Sequence, residues 1–520
     1  MRSLTPDWET ALVNADRRVV LLVTVNVFGA SPADDAQHMA TRPGSICAAT
    51  VPSHVPDAAT GLIVPFWPTL TEWPAVEWRM DRRERRAEIS EVQIKFSADS
   101  ELGELLSRSS RTTPITARID AWTEGMDLSQ AIPLVGGTCS ISSWPRTDGP
   151  VTLTMTDGDP DLSVKWPVDA LTAQRFPEAP ERVLGQPVSV VIGPAPDLLE
   201  CLPIDRTDTG SHTRYLYLAM AAAGPSVVTV DGIVRTDWTS SQQKTVDGLS
   251  YVEIEFETEV FDDSEVLASG GVGITASDPV SYLCAWAGID IQEATRAILR
   301  YEQTRPDVGL HLSVLGKIAA PVVELLRQRI VPQLPYALGF ERGRLRLLPL
   351  ESRGTAVALT SSTGLEYRLV SQPSEETAPV FNSFRFLCGR RSNNTHEFVV
   401  RRSAVDGPES TRALLAASQA RYGVRPLPAD VNAQDLVVER DESGNILGSP
   451  AAERLADLYA EQYSAVSQKI AYKTDWRTAL TLERSDPVRV TDDYLTDASG
   501  YVERIALKAN GPEMVLEVER

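Results

Sequence analysis

Asp278-Pro279-Val280-Ser281-Tyr282-Leu283-Cys284-Ala285-Trp286-Ala287-Gly288 opens a stretch, running to Leu350, on which the reading of the whole chain turns. Aspartate followed by proline is a helix N-cap with proline at the first helical position, where its missing N–H costs nothing. Val280, Leu283, Cys284 and Ala287 fall at i, i+3, i+4 and i+7, and Gly288 stands where a C-terminal stop belongs. A second helix is expected from Pro321, with Val322, Leu325, Leu326 and Ile330 as its apolar stripe and Pro332 and Pro335 as its end. Tyr336, Leu338 and Phe340 then alternate, Glu341-Arg342-Gly343 turns the chain, and Leu345 and Leu347 alternate again. That pattern predicts a hairpin with glycine in its turn. The result is a helix–helix–hairpin module without a constellation able to do chemistry, with β-rich chain before and after it.

The totals narrow the rest. A chain of 520 residues has room for about three to four domains. Its 42% hydrophobic and 23% charged content is that of a globular protein rather than a disordered one. Val19–Val27 and Leu216–Ala223 are the longest apolar runs and are too short to span a bilayer. The start, MRSLTPDWETAL, lacks an apolar signal core, so no cleaved leader is expected. Prolines (35) and glycines (32) are spread along the chain, which suits many short strands and turns. A net charge of −21 argues against a surface that grips nucleic acid with clustered Lys and Arg. It is compatible with one that nucleic acid slides past. Cys47, Cys139, Cys201, Cys284 and Cys388 are far apart, with no metal-ligand spacing, and are expected as small buried hydrophobes in a reducing compartment.

In chain order, a short helix is expected over 5–15, led by Trp8, and then a strand, Val19–Val27, apolar on both faces and so buried within a sheet. Residues 29–75, rich in Pro, Ala, Asp and Thr, read as a long loop or arm outside the core. Arg79–Arg86 (RMDRRERR) is the one dense basic run, expected as a solvated strand edge or salt-bridge partner. Ile89–Phe96, Ile115–Ala121 and Val151–Met155 read as strands, Glu101–Leu106 as a short helix and Gly136-Gly137 as a turn. Val188–Ile192, Tyr215–Leu218, Val227–Val230 and Tyr251–Val260 are strands of a second β-rich unit, with an Asp231-Gly232 turn, and Gly270-Gly271-Val272-Gly273 reads as a flexible linker. Strands follow over Leu365–Val370 and Phe381–Leu387, then a helix or arm around Leu414, Ala417 and Arg421, a helix over 450–466 and four closing strands. The fold class is therefore mainly β with α+β modules. Four units are expected: 1–168 as an N-terminal β-barrel with the arm at 29–75, 169–272 as a β-rich module, 273–360 as the helix–helix–hairpin module, and 361–520 as a C-terminal β-barrel with its helix.

Catalytic patterns are scarce. His38, His54, His212, His311 and His396 are isolated from one another, and no GxSxG, GxxxxGK[ST] or strand-led GxGxxG occurs. Cys388 and His396 stand eight residues apart without an orienting elbow. Glu253, Glu255, Glu257 and Glu259 share one strand face and read as its solvated side. Asp157, Asp159 and Asp161 lack the glycine and twelfth-position glutamate of a calcium loop and read as a tight turn. No catalytic residue, metal or cofactor is expected.

The order of segments resembles the baseplate hub or tail-tip proteins of long-tailed bacteriophages and related prophage or gene-transfer particles. SDPVSYLCAWAGID, APVVELLRQRI and YALGFERGRLRLLPL are similar to that family's helix, second helix and hairpin ending in a short G-x-L-x-L strand. GQPVSVVIG (Gly185–Gly193) and the Val230–Gly232 turn resemble the preceding hub segment. Val380–Phe386, Ser418 to Gly423, the 450–466 helix and SDPVRVTDDYLTDASGYVERI (Ser485–Ile505) resemble the last barrel. The resemblance covers most of 110–520; the 29–75 segment departs from it.

It implies a homotrimer whose two tail-tube-like barrels per chain, flanking two smaller modules, make a pseudo-sixfold ring between a hexameric tail tube and distal tip or fibre proteins. The other implied partners are the tube protein above and the tape measure protein or DNA passing through the channel. The implied location is the virion tail tip, assembled in the host cytoplasm. Ring-interface candidates from the barrel strands are Ile119, Leu153, Val488, Val490, Ile505 and Leu516. The rival readings are a tail-associated cell-wall hydrolase and a receptor- or carbohydrate-binding protein.

Overall fold

The computed structural model describes residues 4–13, 18–28, 40, 45–97, 114–143, 150–157, 163–167, 170–195, 199–205, 210–246, 249–275, 278–303, 314–316, 319–341, 344–351, 355–368, 379–390, 396–441 and 445–519. The protein is mainly β. Its first sheet is antiparallel, in the order Ser45–Ala49, Val19–Asn26, Ile115–Thr123, Ile132–Ser143, Val151–Asp157 and Val92–Phe96. As its double-sided apolar sequence requires, Val19–Asn26 lies between two strands and is buried from Val20 onward. Gly136 and Gly137 do not turn the chain; they run mid-strand opposite Arg118 and Ala117.

The proline-rich segment also departs from its reading. Within 45–73, Ser45–Ala49 pairs with Val19–Asn26, and Ser53–Asp57 pairs with Leu62–Phe66 as a hairpin. Ile46, Val55, Phe66 and Leu70 are part of the core. Trp67–Thr71 hydrogen-bonds to both edges of the first sheet: Trp67 N–H donates to Cys47 O at 3.1 Å and Thr71 N–H to Lys95 O at 3.0 Å. Strands of five residues interrupted by proline carry too little alternation to stand out from a loop in sequence. Residues 29–39 and 41–44, the Glu101–Leu106 helix, and Asp159 and Asp161 lie outside the described residues.

The second large sheet joins distant parts of the chain. The hairpin Val76–Asp81 and Arg86–Ile89 pairs on one side with Ala498–Lys508, in the register Ile505↔Trp78, and on the other with Tyr336–Glu341 at Leu338↔Arg86. The sheet continues through Gly511–Glu519, Ser467–Lys473 and Tyr367–Arg368 on one side and Arg344–Pro349 on the other. One apolar core accordingly runs from Trp8 and Val23 through Phe96 and Leu153 to Val490, Leu507 and Val518. Segments on either side of residues 168, 272 and 360 share hydrogen-bonded strands.

The helix at the head of the central stretch spans Pro279–Trp286, with the Asp278 carboxylate accepting from Ser281 N–H at 2.6 Å and Gly288 at φ +66°. From Val322 to Gln333 the chain stays helical but changes from α to π to 3₁₀ geometry. The strands Tyr336–Glu341 and Arg344–Pro349 pair antiparallel as read, with the turn residues Arg342 and Gly343 outside the described residues, yet Tyr336–Glu341 is buried on both faces. Gly339 allows this, because a Cβ there would stand 2.6 Å from Ala87 O. The helix Glu293–Gln303 is absent from the sequence reading. Its buried face is Thr295, Leu299 and Glu302, so two of its three core positions are polar and break the apolar period.

Residues 190–269 build two stacked sheets. Tyr215, Tyr217, Ile254 and Phe256 of one pack against Val228, Val230, Val266 and Ala268 of the other. The expected Asp231-Gly232 turn is present, with both residues at positive φ. The glycine run is not a loose linker: Val272 bridges to Pro194 and Ala223, and Tyr217 Oη donates to Gly270 O. The Glu255, Glu257 and Glu259 side chains are exposed as expected, but Glu253 is buried.

Glu253 is held by Arg214 Nε at 2.6 Å and Lys244 Nζ at 2.8 Å. Burial alone would raise its carboxyl, but these hydrogen bonds and charges more than offset burial and hold it below the ordinary glutamate value. The folded carboxyl therefore ionises more readily than the unfolded one. Its contribution is complete above about pH 4.3 and is lost as pH falls through the lowered value. Glu253→Gln is expected to lower stability by about 1–3 kcal/mol at pH 7. Urea titrations at a series of pH values should show the gap between wild type and variant closing on acidification; a pH-independent gap would contradict the ionic account.

Candidate functional site

The basic run RMDRRERR lands at the junction of the chain's parts. Asp81 accepts backbone N–H bonds from Arg83 and Glu84, closing the turn between the two N-terminal hairpin strands. Arg85 sits at φ +54°, which sends the chain back into Arg86–Ile89. Against expectation, Arg82 and Arg85 are buried. The Arg82 guanidinium lies 3.6 Å from the ring centroid of Tyr501 and donates to Leu350 O at 2.5 Å. Arg85 stacks over Tyr459 at 4.8 Å and donates to Pro332 O and Leu334 O at 2.7 and 2.5 Å. Arg83 stacks over Tyr463 at 4.9 Å. Burial lowers the Arg85 pKa, partly countered by Tyr459 and Tyr463.

These arginines therefore bind carbonyls and aromatic faces of the central module and the C-terminal region. Their sequence signal is ambiguous because a docked and a solvated basic turn have the same composition. Beside them a small open cleft is lined by Arg82, Arg83, Glu461, Gln462, Tyr501 and Glu517, among others. Its polarity suits ordered water, and its lining residues include no cysteine, serine–histidine pair or metal-binding triad.

Further charged networks tie the same parts together. Arg454 on the helix Pro450–Tyr463 donates to Glu302 Oε2 at 2.8 Å and to Glu351 Oε2 at 2.6 Å, and Tyr336 Oη donates to Glu302. Arg329 donates to Asp435 Oδ2 at 2.6 Å and to Leu315 O at 2.7 Å, while Gln333 Nε2 reaches Asp435 at 2.8 Å. Arg346 pairs with Glu341 and, at 2.7 Å, with Glu483. Sequence reasoning passed over these networks, since the pairs Arg454–Glu302, Arg454–Glu351, Arg329–Asp435 and Arg346–Glu483 join residues more than a hundred positions apart and leave no local pattern.

Two groups able to do chemistry, Cys388 and His212, are engaged in packing or hydrogen bonds. Cys388 is buried, its thiol pushed up to about 12 by desolvation, and it stands opposite Phe398, whereas His396 stands opposite Arg390. Such a thiol is no nucleophile at neutral pH. The five cysteines are free thiols. His212 has Nδ1 2.7 Å from Asp205 O and Nε2 2.7 Å from Asp262 Oδ1, so both ring nitrogens are engaged in hydrogen bonds within the chain. Among the described residues no group of three or more His, Cys, Asp or Glu is placed to hold a metal ion.

The six interface candidates all lie in one place. Ile119, Leu153, Val488, Val490, Ile505 and Leu516 are buried members of the single core that spans both ends of the chain. A side chain without solvent access in the chain itself adds no apolar burial to a contact with another chain. Their side chains serve the chain's own packing.

No protein-family model matches the chain, and no curated protein matches it. Among solved structures, the prophage MuSo2 43 kDa tail protein from Shewanella oneidensis aligns over 88% of this chain and 95% of that one, at 10% identity and a TM-score of 0.35. A likeness at that level carries no argument about fold or function, which rest on this chain's own residues. No helix among the described residues is long and apolar enough to cross a membrane.

Proposed function

We propose that this chain is the structural hub of a phage-like tail tip, a trimer whose barrel-like regions form a pseudo-sixfold ring between tail tube and tip proteins. The observation that carries the reading is the joining of the chain's two ends through the Val76–Ile89 hairpin, which completes the C-terminal sheet and is locked there by Arg82 and Arg85. A tip protein transmits load between a tube and its fibres. A body whose N- and C-terminal strands share hydrogen bonds and one core resists being pulled apart at a linker. The order of segments resembling tail hubs supports the same reading, and so does Trp67–Thr71, which bridges both edges of the first sheet as a tube-like barrel requires. The acidic balance suits a channel wall that repels passing DNA.

Electron cryomicroscopy of the distal tail of the particle encoding this chain tests the proposal. Three copies in a ring beneath the tube are expected. Density on peripheral spikes instead would favour receptor binding, and peptidoglycan turnover by the purified chain would favour the hydrolase reading.

A further inference from the structure

The negative charge of this chain is not spread evenly. Residues 380–425 hold eight arginines and three acidic residues, in a protein whose net charge is −21. Two of those arginines are spent within the chain: Arg402 donates to Asp457 Oδ1 at 2.6 Å, and Arg385 lies 3.3 Å from Asp430. Arg412, Arg421 and Arg425 have no carboxylate partner among the described residues. All three are exposed, on or just after the helix Glu409–Tyr422.

That helix is turned against its own polarity. A surface helix ordinarily buries its apolar positions and shows its polar ones. Here Thr411, Leu415 and Ser418 face inward. Thr411 Oγ1 donates to Asp457 Oδ1 at 2.9 Å, and Ser418 Oγ accepts from Asn382 Nδ2 at 3.3 Å, so hydrogen bonds hold the helix in this orientation. Ala413, Ala416, Ala417 and Ala420, at i, i+3, i+4 and i+7, are exposed on the outer face. Leu414 is exposed next to them, and Val424, just past the helix end, is 71% exposed. By helical geometry Arg412 borders this apolar face on one side and Arg421 on the other.

We propose that this face docks an acidic amphipathic helix of another protein. Charge complementarity selects the occupant, because unpaired arginines on both flanks call for carboxylates from the partner. Shape selects its conformation. Outward alanines carry nothing beyond Cβ, so they let a second helix pack closely and offer no pocket to an extended peptide. A nucleic-acid backbone would satisfy the arginines but leave the apolar face unused. A second copy of the chain has no such helix to offer among its described residues. Its acidic helices, Pro6–Val13 and Pro450–Tyr463, already bury their apolar residues Trp8, Ala11, Leu455 and Leu458 within the chain. The proposal does not rest on the tail reading, since it follows from this helix alone.

Fluorescence anisotropy tests it, with a labelled synthetic amphipathic helix of Ala, Leu and Glu titrated with the full chain up to about 100 µM. Binding is expected although the chain as a whole repels the peptide. A peptide of the same composition in scrambled order, which keeps the charge but lacks the apolar face, should bind at least ~10-fold more weakly. Arg412→Glu/Arg421→Glu should weaken binding of the helix at least ~10-fold by setting like charges against it. Ala417→Gln, which adds bulk without charge, should weaken it as well, and both variants should keep the wild-type circular dichroism spectrum. No binding to the wild type overturns the proposal, as does binding indifferent to both variants or to scrambling. Tighter binding of duplex DNA than of the peptide, lost in the double variant, would overturn it in favour of a phosphate backbone. Self-association of the wild type that Ala417→Gln abolishes would overturn it in favour of a second copy.

Discussion

Replacing Arg454 by alanine is expected to destabilise the protein by about 3–5 kcal/mol, because it strips the cation from a carboxylate that water cannot reach. Glu302 is fully buried on the helix Glu293–Gln303, and Arg454 reaches it from the helix Pro450–Tyr463 while also gripping Glu351. Burial alone would lower the Arg454 pKa, but Glu351 and Glu302 more than offset it, so the guanidinium stays charged. The measurement is urea unfolding of Arg454→Ala, Glu302→Gln and the double variant. Glu302→Gln should be less harmful in the Arg454→Ala background than in the wild type, since the glutamine carries no charge to strand. Additive losses would mean that the two groups do not act as a pair. Because the bond joins the central module to the C-terminal region, the single variant should also raise the rate of hydrogen exchange in both helices.

Gly273→Ala is expected to cost about 3 kcal/mol or more, through backbone collision rather than lost charge. Gly273 N–H donates to Gly193 O at 3.0 Å, and a Cβ built on Gly273 would overlap Val191 O and Val191 C. Those are main-chain atoms of a buried strand and cannot swing aside as a side-chain end would. Gly232→Ala is the informative control: its φ is +77° but nothing lies within 4 Å of the added carbon. Only the left-handed conformation is penalised there, at about 1 kcal/mol. Thermal unfolding of both variants separates the two effects, and equal losses would contradict the close-packing account.

That contrast shows what was legible in the chain. Gly232 follows Asp231 between Val230 and the pair Ile233-Val234, a local pattern that names its turn directly. Gly273 belongs to a run that reads as a linker, because the carbonyl that crowds it comes from Val191, some eighty residues away. The RMDRRERR run failed in the same manner. Its turn is local, but the Tyr459, Tyr463 and Tyr501 rings that receive its arginines come from the far end of the sequence.

What the sequence determined by itself is everything set within a few residues. The Asp278 cap and the helix behind it, the Tyr336–Pro349 hairpin, the doubly apolar strand Val19–Asn26, the closing strands and the mainly β class all follow from caps, turns and periodicity. Only the tertiary structure decided which strands share a sheet and which charges are buried together. Trp78 pairs with Ile505, and Arg454 with Glu302, through hydrogen bonds and Coulomb attractions that act across space. Such contacts depend on where the chain returns, and no window of neighbouring residues encodes that return.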